Sequence, residues 1–177
     1  MITAEALAPF RIPQAARPEG DPAPLDYLRD AADQQGGGLD LELEVLLVTP
    51  GLTERGLPPH RVALSNARHL YWTAAQMVTH HASGGCNLQP GDLFGTGTIS
   101  APDEGGFGSL LEITNGGRQP LTLDSGETRR FLEDGDTVIL RAVARRDGFV
   151  PIGFGECRAT IVAGAAPVGA VPAGAAS

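Results

Sequence analysis

No lysine occurs in this chain; its 13 basic residues are all arginine. That absence removes a phosphate-binding P-loop, whose GxxxxGK[ST] pattern needs a lysine. Cysteine is nearly absent. Cys86 and Cys157 lie far apart and form no CxxC, which argues against a zinc ribbon or disulfide scaffold. The default expectation is two reduced, buried thiols in a cytoplasmic protein. No apolar run is long enough to span a membrane, and "MITAEALAPFR" lacks the basic flank and apolar core of a secretory signal. Positive charge is also scarce. With 13 basic and 21 acidic residues the net charge is -8 at pH 7. That sign disfavours nucleic acid and an anionic membrane surface, and it favours solubility.

What is present suits one domain. The chain has 177 residues, 42% hydrophobic and 19% charged, enough to bury a core without disulfides. Residues 1–38 read as an extended Pro/Gly-rich lead-in, and "PFRIPQAARPEGDPAPLDYL" suggests a surface connection with further polypeptide ahead of it. "PLDYLRDAADQQGGG" has room for a helical turn. Residues 39–163 form the folded body. Residues 164–177, an Ala/Gly/Pro tail, are expected to be disordered.

Within the body, "LDLELEVLLV" alternates apolar and acidic residues and predicts a half-buried strand. Leu70, Ala74, Met77, Val78 and His81 recur at helical spacing. They predict a helix from Ser65 to Ser83, capped by Ser65 or Asn66, stopped by Gly84 and Gly85, and packed on more than one side. Beyond Pro90 the pattern predicts short strands at "DLFGTGT", "FGSLLEIT", "QPLTL", "DTVILRAVAR" and "FVPIGFGECRATIV", with "NGG" and "RRDG" as hairpin-type turns. The expected fold is mainly β (α+β): a mixed, bent β-sheet or β-roll with one long packed helix.

Several residue groups invite a chemical reading. "GTGTIS" lacks the last glycine of a dinucleotide fingerprint, and "APDEGGFG" rather than a helix follows it. His80, His81 and Cys86 suggest a metal, but adjacent helical residues point about 100° apart, and imidazoles in a last turn suit the helix dipole. Asp40, Glu42 and Glu44 project from one strand face and could ligate Ca²⁺ or Mg²⁺. A solvated sheet surface has the same composition. No GxSxG surrounds Ser109, which reads as a strand residue. Glu112 sits among Leu110, Leu111 and Ile113, either on an outer face or as a deliberately placed acid. Gly97, beside Thr98, permits a close backbone approach to a ligand or simply a tight turn.

The ordered motifs reach further. "SNARHLYWTAAQMVTHHASGGCNLQPGDLFGTGTISAPDEGGFGSLLEI", "GETRRFLEDGDTVIL" and "IGFGECRATI" resemble, block by block, the C-terminal portion of the fumarylacetoacetase family. The likeness covers nearly all of residues 60–163. Residues 1–50 resemble the preceding segment more loosely. The resemblance implies a β-roll, a homodimer, and hydrolysis of the C–C bond of 4-fumarylacetoacetate to fumarate and acetoacetate, as in tyrosine and phenylalanine catabolism. It implies a Ca²⁺ or Mg²⁺ ion that polarises the attacked carbonyl. It also implies a histidine, held by a glutamate, that activates water.

At matching positions, Glu112 corresponds to that glutamate, Thr98 to a substrate-contacting hydroxyl, and Gly97 to the backbone beside it. The family's catalytic histidine, metal carboxylates and oxyanion-binding groups precede this region. His60, His69, His80 and His81 do not align with that histidine, and Asp40, Glu42 and Glu44 do not align with the metal's Glu-x-Glu strand. The expectation is therefore the C-terminal part of such a hydrolase, from a split or truncated gene. It should be inactive alone, with uncovered strand edges that drive aggregation or require a partner. The alternatives are a non-catalytic remnant that binds a ligand or another subunit, and an acylpyruvate-hydrolase-like relative.

Overall fold

The structure, a computed structural model, describes residues 2–164. Its helices are α1 (Ala4–Leu7), α2 (Ala31–Gly36), α3 (Pro50–Glu54), α4 (Ala74–Ser83) and α5 (Leu110–Ile113). Its strands are β1 (Arg11–Ile12), β2 (Gly38–Leu39), β3 (Glu42–Val48), β4 (His60–Asn66), β5 (Leu121–Thr122), β6 (Thr128–Arg129), β7 (Thr137–Ala144) and β8 (Ile152–Thr160). Short 3₁₀ turns lie between them. The central sheet has the order β4-β3-β7-β8, and two small sheets, β1-β2 and β5-β6, flank it. The α+β class stands, but the sheet expected to be mixed is not: every described pairing is antiparallel, each strand of the central sheet running against its neighbours.

The alternating run at residues 39–48 is divided: Leu39 ends β2, and Glu42–Val48 form β3, which like β7 has partners on both sides. Glu44 faces Leu64 across one ladder and Arg141 across the other, while Val45 faces Ala63 and Leu140. A register shift between Val45 and Leu46 leaves Val62 of β4 without a partner on β3, a bulge of the kind that locally bends its strand. The "RRDG" stretch joins β7 to β8, with Gly148 at φ 81°.

Two small apolar clusters anchor the sheet. Phe10, Leu41, Ala67 and Ala144 form one; Leu47, Leu52 and Leu123 form the other. Phe10, from the lead-in, is only 2% exposed, so part of this Pro-rich segment belongs to the core. β1 pairs with β2, and α2 is capped by Asp30, whose side chain accepts from the Asp33 amide. The expected disordered tail lies, from residue 165 onward, outside the described residues.

Five local expectations need correction. The helix predicted from Ser65 starts nine residues later, at Ala74. Residues 60–66 pair with β3 as β4, and Asn66 caps only the 3₁₀ turn at Ala67–His69. Long-range pairing outweighs the i, i+4 spacing of Leu70 and Ala74. The true cap is Thr73, whose hydroxyl accepts from the Gln76 amide while the Gln76 side chain accepts from the Thr73 amide, a reciprocal capping box. α4 buries one residue, Gln76, so it is not packed on several sides. "DLFGTGT" forms no strand, because Gly91 (φ 100°) and Gly97 (φ 76°) turn into the left-handed region. "FGSLLEIT" is no strand either: Ser109 accepts from the Glu112 amide and starts α5. The two cysteines, expected to be buried, are both free and exposed. Cys157 lies on β8, an edge strand whose residues are mostly exposed, and Cys86 lies in the loop after α4.

Candidate functional site

Glu112 occupies the third position of α5, one turn after its cap. Ser109 donates its hydroxyl to Glu112 Oε2 at 2.7 Å. Ser100, from the loop that carries Thr98, donates to Oε1 at 2.7 Å. These bonds, from Ser109 first and then Ser100, hold the carboxyl below the usual glutamate range. The side chain remains exposed. It lines a cleft of about 410 Å³ together with Thr98, Thr96, His69, Tyr71 and Trp72.

The two segments can meet because glycines clear the way. A Cβ at Gly108 would lie 2.9 Å from the Ile99 carbonyl oxygen, and one at Gly106 would lie 3.2 Å from the Leu64 carbonyl oxygen and against Ala101. The Ala101 amide donates to the Gly106 carbonyl at 2.8 Å, closing the loop on itself. Gly97, at φ 76°, adopts a conformation that costs other residues about 1–2 kcal/mol. It aligns with Thr98 along a second cleft, of about 470 Å³, over the β3–β7 face.

The far wall follows from the YWT segment. Arg17 lies 4.7 Å from the Tyr71 ring centroid and 4.2 Å from that of Trp72. Arg17 Nη1 donates to Tyr71 Oη at 2.8 Å, and Tyr71 Oη donates to Asp21 Oδ2 at 2.6 Å. That bond to Asp21 raises the phenol's pKa. Gln14 Nε2 bonds the Tyr71 carbonyl and Gln76 Oε1, at 2.7 and 2.9 Å. The lead-in thus braces the aromatic pair from behind.

Other candidate groups are placed elsewhere. His80 Nδ1 bonds Tyr27 Oη at 2.9 Å, and His81 packs edge-on to Phe94. Asp40 bonds Asn66 and Arg68, chiefly Arg68, which lowers its pKa. Glu44 lies 3.6 Å from Arg141, and Glu42 is exposed. His60 pairs with Asp124. Among the described residues no group of three or more His, Cys, Asp or Glu side chains could hold a metal ion. The donor sets at His80/His81/Cys86 and Asp40/Glu42/Glu44 therefore do not fit the ion the resemblance implies. The DGD motif is structural. Asp136 is fully buried, accepts from Arg129 at 2.9 and 3.0 Å, and accepts from the Glu133 amide at 2.9 Å.

Sequence reasoning placed Glu112, Thr98 and Gly97 but missed the two serines. The signal was available: Ser109-x-x-Glu112 has capping-box spacing. Ser100 carries no local signal, because its partner lies twelve residues away.

Comparison with known proteins shows which family the chain resembles. The family model described as fumarylacetoacetate (FAA) hydrolase C-terminal matches residues 28–162. Fumarylacetoacetase of Arabidopsis thaliana is 43% identical over 162 residues, covering 92% of this chain and 36% of that relative. Those of Dictyostelium discoideum and Homo sapiens are 40% identical over 164 and 162 residues, with the same coverage of 92% and 36%. The chain thus spans about 36% of the length of these curated relatives. No described helix is long and apolar enough to cross a membrane.

Proposed function

The chain belongs to the fumarylacetoacetate (FAA) hydrolase C-terminal family, and on that premise we propose that it supplies the carboxylate half of a carboxylate–imidazole pair and part of the substrate pocket in a C–C bond hydrolase acting on 4-fumarylacetoacetate. The observation that carries this reading is the shared cleft. Glu112 and Thr98 line it together, and the carboxylate is ionised, hydrogen-bonded and still open to the cleft.

In this reading the histidine comes from polypeptide outside this chain. The Glu112 carboxylate accepts from one imidazole N–H. That bond fixes the tautomer, aims the other nitrogen at a water molecule and stabilises the imidazolium as the water gives up its proton. The water oxygen bonds to the attacked carbonyl carbon. The adjacent C–C bond then breaks, and its electron pair leaves with the acetoacetate fragment, which takes a proton. The Thr98 hydroxyl and the backbone at Gly97 contact a substrate oxygen at the rim. The divalent ion that the family reaction needs is not held by donor sets among the described residues, so its ligands also belong outside them. A homodimer and a cytoplasmic site of action are part of the same proposal. So is the boundary of the catalytic body at residues 39–163.

The lack of a fitting metal site favours a second reading, a non-catalytic module that binds a ligand or another subunit. One experiment separates the two. The chain is fused behind the N-terminal portion of a related fumarylacetoacetase, and loss of diketone absorbance is followed. Turnover in the fusion that falls by about 10²–10⁴-fold in E112Q supports the hydrolase reading. A fusion whose turnover is indifferent to E112Q contradicts it.

A further inference from the structure

We propose that Ser100 and Ser109 act as a pair of positioning residues that clamp the Glu112 carboxylate in its ionised form and tie it to the Thr98 loop. The role of Glu112 in catalysis rests on the reading above; the clamp itself rests on geometry.

Each serine hydroxyl has one proton to give. Ser100 Oγ accepts from the Gly108 amide at 2.9 Å, which directs its proton to Glu112 Oε1 at 2.7 Å. Ser109 Oγ accepts from the Glu112 amide at 3.3 Å and gives its proton to Oε2 at 2.7 Å. The backbone thus fixes the polarity of both hydroxyls. A carboxylate oxygen has about two acceptor sites, so each keeps one for an imidazole N–H after the serine is served. Protonating Glu112 would remove the charge that strengthens both bonds, so the two donors favour the ionised form.

Position in sequence adds a second effect. Ser109 comes from the cap of α5, whereas Ser100 comes from the loop two residues past Thr98. The Ser100–Glu112 bond therefore sets the distance between the candidate substrate hydroxyl and the candidate base-orienting carboxylate. This explains why two separate motif blocks, GTIS and FGS-x-LE, each end near a serine–glutamate contact.

The test uses the whole chain and reads Glu112 directly, by carboxyl-carbon NMR with pH, beside Ser100→Ala, Ser109→Ala and the conservative Ser100→Thr. The clamp predicts a Glu112 titration midpoint that moves up in S100A and again in S109A, and that returns toward the unaltered value in S100T. If S100A fails to fold, S109A carries the same reading, because it removes the other hydroxyl. A midpoint unmoved by loss of either hydroxyl overturns the clamp, whatever E112Q does to turnover. In the fusion, S100A should lower kcat about tenfold, the size of one lost bond to a charged group, and S100T should restore most of it. A loss of kcat in S100A that S100T does not restore also overturns it.

Discussion

A methyl group added at Gly108 would sit 2.9 Å from the Ile99 carbonyl oxygen, 3.0 Å from its nitrogen and 3.1 Å from its carbonyl carbon. All three are backbone atoms, which cannot rotate away. Gly108→Ala should therefore separate the Thr98 loop from the segment leading into α5, at a cost typical of overpacking, about 1–3 kcal/mol. Urea unfolding would measure it, with an upward move of the Glu112 titration midpoint as the Ser100 bond loosens. The sign follows from linkage. Glu112's folded pKa is depressed below its ordinary 4.5. Its clamp thus adds stability above that ordinary value, and the contribution is lost as pH falls through the lower folded value. Gly51 differs, since a Cβ there would meet only the end of the Glu127 side chain, at the cost of displacing its carboxylate. That carboxylate is held below its ordinary range by Ser125 and then Thr49.

At the scale of elements, α4 depends more on its cap than on its buried face. Thr73 is 3% exposed. Its hydroxyl accepts from the Gln76 amide at 3.1 Å and donates to Asp33 at 2.5 Å. Thr73→Ala should cost about 1–2 kcal/mol and release the aromatic wall that Tyr71 and Trp72 form. Thermal unfolding would show the loss, and hydrogen exchange would localise it to residues 74–83. The elements also show what was legible in sequence. β3, β7 and β8 were plain, because Leu41, Leu43 and Val45 alternate with acids, and because the β-branched Thr137, Val138 and Ile139 open a run that the RRDG turn separates from the next strand. β4 was hidden. His60–Asn66 has strand alternation, but the helical spacing that begins at Leu70 overran it, and only pairing with β3 decides the matter. α5 was hidden because a four-residue helix has no period to read. Of the candidate site, Glu112, Thr98 and Gly97 were legible through motif resemblance. The Ser100 contact and the bracing of Tyr71 by Arg17 and Gln14 were not, since both join segments distant in sequence.

For the whole molecule, the two apolar clusters are small, and much of one sheet face stays open. Leu140 is 47% exposed, Phe154 40% and Phe131 51%. Leu140 pairs with Cys157 on β8 and with Val45 on β3, so these three share one face; Phe154 lines the cleft over it that reaches Thr98, and Phe131 a neighbouring one. The edge strands β4 and β8 flank it. Apolar surface of this kind is usually covered in the working state. The chain by itself is expected to self-associate, and light scattering should show a mass above one chain or a concentration-dependent rise. A monomer that unfolds in one cooperative step at all concentrations would count against that. The fusion that places a relative's N-terminal portion ahead of the chain should reduce the association.

The central claim is that Glu112 faces a site completed by an imidazole from other polypeptide. A crystal structure of the active fusion tests it most directly. The account predicts an imidazole nitrogen about 2.6–3.2 Å from a Glu112 carboxylate oxygen, with both serine bonds retained and Thr98 on the same cleft. A histidine placed against another group, with Glu112 bonded only to its two serines, would contradict it.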